Sequence, residues 1–488
     1  MKSRISLNNI DKLIPWMLVC LALFLRLLFL GGKSLWGDEF YAAGLVSNGI
    51  ENLIQNSFRG SPHPPLAFIA IKLSSAVFGN SEAGLRAVSA IVTSWAAVPL
   101  YFFVLKRSGK WPAAFSALLW VMAPYSVSMG QEAWLYGIMA SVGFTFIWIA
   151  DLAWTGNRLA GFLVVPVGLA GMLIQHLFAL YLFAGFMLYF TVNRNKRVTF
   201  KKVLLTGTLL LILYIPFIIP ALGQASSRSA RISASGADAF ILWRYAVRAP
   251  TVLARLMAGG LAGENNLWNP SSSLITSGIF YYSFLLTVIP VILFLSNRRI
   301  SGNLRMWTAG VFILPFLLFL KEDPTARHLT ILWIPMALSF AFLVKRFKPA
   351  FLTVIPLFLL LLPYYHLSTY PYHRSNWRTA VASVTENLQS DQRVVIIGGQ
   401  NGGLAWDYYA KSETERLAPR GENPYSVQPT RSSLEPAAVV DSVLSTGTEV
   451  WVVHDIRGGP SGEGIAPEHT VLQHEYHGPR LEVILFAP

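Results

Sequence analysis

Two adjacent carboxylates are the sharpest chemical feature of the sequence. The stretch SLWGDEFYAAG places Asp38 and Glu39 directly after the first long apolar run. Ionisable side chains beside a membrane are costly and are kept mainly where they are paired or functional. In a helix the two would point about 100° apart, so one could face a reacting hydroxyl while the other organises the loop or a cation. A solvated acid pair or a helix cap has the same spacing.

Two further motifs place polar side chains near the ends of apolar runs. His63 precedes two prolines in SPHPPLAFIAIKL, and Arg86 follows in FGNSEAGLRAVSA. Glu132 lies in APYSVSMGQEAWLYG, at the turn between two apolar runs. Each residue also has a structural interpretation: a core histidine, an arginine that snorkels and pairs with Glu82, and an acid at a helix N-terminus.

A basic pair lies later in the chain. KEDPTARHLT places Arg327 and His328 at the start of an apolar run. Guanidinium groups and helix N-termini both favour phosphate, so this pair is a candidate phosphate site. An arginine that contacts lipid headgroups is the alternative.

Membrane helices must position these residues. The 488-residue chain is 53% hydrophobic and 13% charged, with mean hydropathy +0.48, which is too apolar for one ordinary soluble core. A helix needs roughly 20 apolar residues to cross the hydrocarbon. About eleven runs are predicted as spans, with approximate limits 14–31, 85–105, 111–128, 133–154, 159–176, 177–192, 203–221, 274–296, 304–320, 328–344 and 350–367.

The basic residues between the runs predict the orientation. Their clusters fall in alternate connections, around 106–110, 158, 194–202, 298–305 and 345–348. The positive-inside rule therefore predicts a cytoplasmic N-terminus and places the long segments 32–84, 222–273 and 368–488 on the extracytoplasmic side. The same rule explains the net charge of +14 without nucleic acid.

The N-terminal run and the cysteine content add two expectations. The run 14–30 is long and lacks a small-residue cleavage site, so we interpret it as a retained span rather than a signal peptide. The single cysteine, Cys20, leaves no intrachain disulfide and no cysteine metal site.

The pattern predicts two domains. Residues 1–367 form a transmembrane domain with outer loops 32–84 and 222–273, and the apolar stretch 63–79 is a short interfacial helix. Residues 368–488 form a small soluble α/β domain, because VVIIGG (394–399), EVWVVHD (449–455) and LEVILFA (481–487) are typical strands. The GGQNGG stretch is predicted as a turn, since its spacing fails the dinucleotide pattern.

Four motifs in order resemble a known family. GDE, HPP, FG-x-SE-x-x-LR-x-x-S and AP-x-S-x-x-x-x-QE-x-x-x-YG resemble the N-terminal half of the dolichyl-phosphate-mannose protein mannosyltransferase superfamily, whose bacterial members include aminoarabinose transferases of lipid A. The resemblance implies a GT-C fold and a polyprenyl-phosphate sugar donor. It also implies that Asp38 is the catalytic aspartate of the first outer loop, with Glu39 beside it, and that Glu132 supports that loop. The chain departs from the pattern at Trp134, where many relatives have Arg.

The resulting hypothesis is a membrane glycosyltransferase. Asp38 would act as general base on an extracytoplasmic glycolipid, polysaccharide or protein acceptor, and the sugar would be inverted at its anomeric carbon. The predicted substrate- or phosphate-binding residues are His63, Arg86, Glu132, Arg327 and His328. A transporter or flippase of lipid-linked sugars and a non-catalytic envelope assembly protein remain alternatives.

The hypothesis includes partners and a location. No cofactor or metal is predicted, because two adjacent carboxylates are too few ligands for a divalent ion. Besides the donor and acceptor, the expected partners are membrane lipids, and no nucleic acid. The expected location is the bacterial inner membrane, with several passes, the N-terminus cytoplasmic and the C-terminal domain extracytoplasmic.

Overall fold

The computed structural model describes most of the chain, in two compact units. The described residues are 9–59, 63–191, 198, 200–234, 241–258, 261, 274–318, 325–369, 376–389, 391–397, 399–410, 436–455, 466, 468–477 and 481–488. The membrane unit comprises Met1–Leu28, Gly49–Ser74 and Arg86–Tyr364. The sheet unit comprises Phe29–Asn48, Ser75–Leu85 and Tyr365–Pro488, so it combines two early segments with the C-terminal part of the chain.

Helices dominate the described residues. In chain order they are α1 Asn9–Leu27, α2 Gly37–Ser47, α3 Ile50–Arg59, α4 Leu66–Phe78, α5 Glu82–Trp95, α6 Ala97–Ser108, α7 Lys110–Met122, α8 Pro124–Gly130, α9 Leu135–Trp154, α10 Arg158–Ile174, α11 Ala179–Thr191, α12 Phe200–Ala234, α13 Ile241–Ala258, α14 Leu274–Ser296, α15 Gly302–Leu318, α16 Trp333–Arg346, α17 Val354–Thr369, α18 Trp377–Asn387, α19 Gly399–Tyr409 and α20 Pro436–Leu444. Short 3-10 helices cover His176–Phe178, Ala326–Leu332 and Lys348–Thr353.

Each predicted span coincides with helix. Among the described residues five helical stretches are long and apolar enough to cross a membrane, namely Glu82–Ser108, Leu135–Trp154, Phe200–Ile218, Leu274–Ser296 and Ala326–Arg346. A sixth arises if α7 and α8, which meet at 60°, form one broken span. Pro124 begins α8 and explains the break, because proline disfavours helical geometry in the residue before it. The figure of eleven spans stays a prediction.

Two predicted outer segments contain helix. The segment 63–79 contains α4, whose 13 residues are too few to cross the hydrocarbon, where roughly 20 are needed. In the segment 222–273, α12 continues past the predicted span end at 221, and α13 follows. The length of apolar sequence therefore marks the spans but underestimates helix outside them.

A buried ion pair connects two spans of the membrane unit. Asp151, 1% exposed on α9, accepts hydrogen bonds from Arg107 Nη2 at 2.7 Å and from Lys106 Nζ at 3.0 Å at the end of α6. Lys106 and Arg107 belong to a basic cluster that predicts orientation, and here they also pair with a carboxylate. Buried charges need such partners because an isolated charge in an apolar interior is expensive.

A four-stranded sheet forms the centre of the sheet unit. Its strands are β1 Arg393–Ile397, β2 Val450–Asp455, β3 Thr470–Tyr476 and β4 Leu481–Ala487, in the order β1-β2-β4-β3. β1 and β2 are parallel, and β4 is antiparallel to both of its neighbours. The predicted strands are confirmed.

The sequence did not predict β3, which forms the sheet edge and is mostly accessible. Its segment, TVLQHEY, contains too few apolar residues for a strand signal. The predicted turn at GGQNGG is wrong from Gly399 onward, because α19 begins there. Gly398 lies outside the described residues.

Candidate active site

Asp38 and Glu39 occupy the first turn of α2 in the sheet unit. Carboxylates are favoured there by the partial positive charge of a helix N-terminus. Glu39 is fully buried, and its Oε2 accepts a hydrogen bond from the Trp36 backbone N–H at 3.3 Å. Asp38 keeps part of its surface accessible. The pair therefore divides into a carboxylate that caps its own helix and one that can meet a reactant.

The backbone that leads into α2 is held at several points. In the membrane unit, Gln131 Nε2 donates to the carbonyls of Arg26 and Leu28, at 3.1 and 2.7 Å. In the sheet unit, Arg378 Nη2 donates to the carbonyls of Gly31 and Lys33, at 3.0 and 3.3 Å. Backbone polar groups away from water require partners, and here side chains supply them.

Three side chains of the sheet unit form a hydrogen-bonded cluster. Glu82 Oε1 accepts from Arg378 Nε at 2.8 Å and from the Tyr409 hydroxyl at 3.0 Å. The Leu35 backbone N–H donates to the Tyr409 oxygen at 2.9 Å, and Ser34 Oγ lies 3.0 Å from it. Burial, helped by the Glu82 carboxylate, raises the pKa of Tyr409 to about 12, so the hydroxyl keeps its proton at neutral pH. We call Glu82, Arg378 and Tyr409 the clamp.

A cavity of about 760 Å³ lies beside the clamp, within the sheet unit. It is lined by the three clamp residues, by Phe40, Ala43, Gly44, Val46 and Ser47 of α2, by Leu404, Asp407 and Tyr408 of α19, and by Asn80 and Leu85. Most of the α2 members are three or four residues apart and so share one helix face. That spacing puts Asp38 on the other side of α2, two residues before Phe40.

His63 lies in an aromatic cluster of the membrane unit. Its ring meets that of Trp134 edge-on at a centroid distance of 5.3 Å, and Trp134 meets Phe68 at 5.6 Å. His63 Nδ1 is 3.0 Å from Gln175 Nε2. Trp134 is 5% exposed, so the position where many relatives have Arg is here a packing position. This contact supports the structural interpretation of His63.

Arg327 and His328 converge on Tyr136. His328 Nε2 lies 3.1 Å from the Tyr136 hydroxyl, and the Arg327 guanidinium lies over the Tyr136 ring at 5.6 Å. Both residues belong to the 3-10 helix Ala326–Leu332 and are partly accessible. A guanidinium and an imidazole this close together are groups that can donate to an anion.

Glu132 belongs to the same neighbourhood of the membrane unit. Tyr125 lies within electrostatic range of both Glu132 and Arg327. Ser128 Oγ is 3.4 Å from Glu132 Oε1. Glu132 and Arg327, predicted from separate motifs, are therefore brought together around Tyr125, and His328 joins them through Tyr136.

Arg86 is fully buried within the membrane unit. Its head group is therefore not at the surface, as a snorkelling arginine would be. The predicted partner of Arg86, Glu82, forms an ion pair with Arg378 in the sheet unit. The assignment of Arg86 to substrate phosphate stays a prediction.

Arg26 is a buried charge that the sequence reasoning missed. It lies on α1 with no exposed surface, and its guanidinium donates to Thr93 Oγ1 at 3.0 Å and Ser126 Oγ at 2.6 Å. A Cβ at Gly130 would lie 2.7 Å from the Arg26 side chain, so only glycine permits this packing. The sequence contained a signal for it, because an arginine inside an apolar run is costly and is usually paired or functional.

The described residues contain no group of three or more His, Cys, Asp or Glu placed to hold a metal ion.

The fold of the chain is similar to that of several solved structures. It is similar to ArnT from Cupriavidus metallidurans bound to undecaprenyl phosphate, with TM-score 0.55 and 12% identity over 96% of this chain and 97% of that one. It is also similar to the Archaeoglobus fulgidus oligosaccharyltransferase tethered with an acceptor peptide, with TM-score 0.54 and 14% identity over 92% of this chain and 69% of that one. A third similar structure is arabinofuranosyltransferase AftD from Mycobacteria, with TM-score 0.52 and 13% identity over 97% of this chain and 39% of that one. At these identities the likeness establishes the fold.

A sequence family matches part of the membrane unit. Residues 62–219 match the family Dolichyl-phosphate-mannose-protein mannosyltransferase, which confirms the resemblance seen in the motifs. The match includes His63, Arg86 and Glu132, whereas Asp38 and Arg327 lie outside it. No curated protein matches the sequence. The solved structures thus show the fold of the chain, and the family match covers about a third of its length.

Proposed function

We propose that the protein transfers a glycosyl group from a polyprenyl-phosphate donor to an extracytoplasmic acceptor, with Asp38 as general base. The observation that carries the proposal is the difference between the two carboxylates of α2. Glu39 is buried and caps the helix, whereas Asp38 is partly accessible and follows a segment whose backbone bonds to Arg378 and Tyr409. A general base requires such a fixed and reachable carboxylate.

The donor follows from the fold and from the basic pair. The similar ArnT structure contains undecaprenyl phosphate, which supports a polyprenyl-phosphate donor here. Arg327, stacked on Tyr136, and His328, beside the Tyr136 hydroxyl, offer donors to a phosphate. Arg86 adds a buried positive charge to the same unit. His63 and Glu132, in the same unit, are the other proposed substrate- or phosphate-binding residues.

The proposed step is a single displacement. The acceptor hydroxyl gives its proton to the Asp38 carboxylate while its oxygen bonds to the anomeric carbon. The bond from that carbon to the phosphate oxygen breaks, and polyprenyl phosphate leaves with its negative charge stabilised by the basic residues. Attack opposite the leaving group inverts the anomeric configuration. The acceptor is a glycolipid, a polysaccharide or a protein, and the location is the bacterial inner membrane.

The test uses purified protein in liposomes with a panel of polyprenyl-phosphate sugars and membrane extract as acceptor. We expect release of polyprenyl phosphate together with labelled acceptor. A product whose anomeric configuration is opposite to that of the donor would support the single displacement. Movement of the intact lipid-linked sugar across the bilayer, without release, would instead identify a transporter and refute the proposal.

A matched pair of variants assigns the base. Asp38→Asn removes the proton acceptor with little change of shape, and Asp407→Asn makes the same change at an accessible carboxylate of the same unit. We expect release to be lost in the first variant and kept in the second. Equal loss in both would attribute the effect to general damage to the unit.

A further inference from the structure

The segment Gly31–Trp36 is attached to a part of the chain far away in sequence. Its carbonyls at Gly31 and Lys33 accept from Arg378, its N–H at Leu35 donates to Tyr409, and its N–H at Trp36 donates to Glu39. The Arg378 bond to Gly31 joins positions 347 residues apart. Asp38 follows this segment directly.

The clamp is self-consistent in its hydrogen bonding. A tyrosine hydroxyl has one proton to donate and can accept two bonds. The Tyr409 hydroxyl donates to Glu82, and its oxygen accepts from the Leu35 N–H. Ser34 Oγ lies 3.0 Å from the same oxygen. The Glu82 carboxylate in turn neutralises the Arg378 guanidinium. These bonds together fix where the Tyr409 hydroxyl and the Arg378 guanidinium lie beside the segment.

The residues that hold the segment are themselves anchored. Trp377, next to Arg378, is 2% exposed at the start of α18, and Asn376 caps that helix by accepting from the Thr379 N–H at 3.4 Å. Tyr409 ends α19, which packs on α2 through Leu404 and Gly44. Rigid helices therefore present both side chains to the segment.

We propose that Arg378 and Tyr409 are positioning residues that hold the segment carrying Asp38. This inference rests on the proposed function for its catalytic meaning, since it assigns a task to residues that never touch the reacting atoms. Displacement of a catalytic group by about 1 Å is enough to reduce a rate on the order of 100-fold. The C-terminal part of the chain thus contributes to catalysis through the backbone of the first loop.

The cavity offers a competing role, because the same three residues line it. Residues that only bind a ligand change KM when they are altered, whereas residues that place a general base change kcat. Hydrogen exchange of the backbone amides of Gly31–Phe40 separates the two roles independently of turnover, because only residues that hold the segment slow this exchange.

The experiment compares Tyr409→Phe with Tyr408→Phe. The Tyr408 ring lines the same cavity, but its hydroxyl donates to the Asn80 carbonyl at 2.7 Å and not to the segment. In Tyr409→Phe the Leu35 N–H loses its acceptor. We expect faster hydrogen exchange in a peptide covering 31–40 and a kcat lower by about two- to tenfold, with donor and acceptor KM little changed. Tyr408→Phe should leave both readouts as in the wild type.

A second variant tests the other contact. Arg378→Lys keeps the charge opposite Glu82 but cannot also reach both carbonyls, since it lacks the planar fork. We expect a loss of kcat on the order of 10- to 100-fold and faster exchange over 31–40. Exchange in β4 should stay at the wild-type rate, which shows that the sheet is intact.

Two outcomes would overturn the inference. Unchanged exchange over 31–40 in both Tyr409→Phe and Arg378→Lys would show that these residues do not hold the segment. A change confined to KM would make them ligand-binding residues. An inactive wild type would refute the proposed function, and the exchange data would still decide whether the clamp holds the segment.

Discussion

The helices of the membrane unit and the clamp of the sheet unit use polar side chains differently. In the membrane unit, charges are matched across helices, as in the contact of Asp151 with Arg107, or satisfied by hydroxyls, as in the contact of Arg26 with Ser126. In the sheet unit, Arg378 and Tyr409 use their donors and acceptors on the backbone of one segment. Helices satisfy their own backbone, so their side chains are available to each other, whereas an irregular segment needs side chains as partners.

The comparison teaches where each kind of variant should act. Loss of a polar partner in the membrane unit removes stability from the scaffold. Loss of a clamp residue changes the position of one segment and leaves the scaffold intact. The predictions below are arranged from the largest expected effect on stability or activity to the smallest.

Asp151→Asn should destabilise the membrane unit most. It leaves Arg107, with 9% of its side chain exposed, facing a neutral amide, and breaking a buried pair costs about 3–5 kcal/mol. The measurement is thermal unfolding in detergent, with Asp407→Asn as the control. Equal unfolding temperatures for the two variants would show that the ion pair does not support the scaffold.

Trp134→Ala should cost about 3 kcal/mol of unfolding free energy. The substitution leaves a cavity between His63 and Phe68, whose rings contact the indole. Phe162→Ala, at a ring that is 79% exposed, is the control for loss of an aromatic side chain. A variant as stable as this control would mean that position 134 is not a packing position.

Tyr136→Phe should weaken donor use without unfolding the protein. It removes the hydroxyl beside His328 Nε2 and keeps the ring under Arg327, so we expect the donor KM to rise by about two- to tenfold. Tyr281→Phe, at a partly exposed tyrosine of α14, is the control. An unchanged donor KM would separate the basic pair from the phosphate.

The smallest effect concerns alkaline pH. The Tyr409 pKa is about 12 in the folded unit, against about 10 in an unfolded chain. The unfolded chain therefore releases this proton first, and the stability contribution, complete below pH 10, is lost as the pH rises toward 12. Tyr409→Phe should show a shallower loss of unfolding temperature between pH 9 and 11 than the exposed-site control Tyr476→Phe. Parallel pH profiles would contradict the assigned pKa.

The sequence predicted the elements that depend on long local patterns. Apolar runs located helices, as in α14, where the limits of the predicted span and of the observed helix are both 274–296. Strands with continuous apolar runs, such as β4, were also predicted from the sequence. β3 was not, because an accessible edge strand lacks the apolar side chains that produce the signal.

The candidate site was only partly predictable. The adjacent acids Asp38 and Glu39 were visible as a motif, but their division into an accessible and a capping carboxylate depends on the fold of α2. The clamp was invisible, since Arg378 and Glu82 are 296 positions apart and neither lies in a pattern that predicts the other. Long-range contacts of this kind require the structure.

The most direct test of the account is the rate of polyprenyl-phosphate release by Asp38→Asn, measured beside Glu39→Gln in the same liposomes. A general base contributes about 10²- to 10⁴-fold, so Asp38→Asn should lose at least that range of kcat. Glu39→Gln should retain more activity, because an amide oxygen can still accept from the Trp36 N–H. Wild-type turnover by Asp38→Asn, or a larger loss in Glu39→Gln, would contradict the assignment of Asp38 as the base.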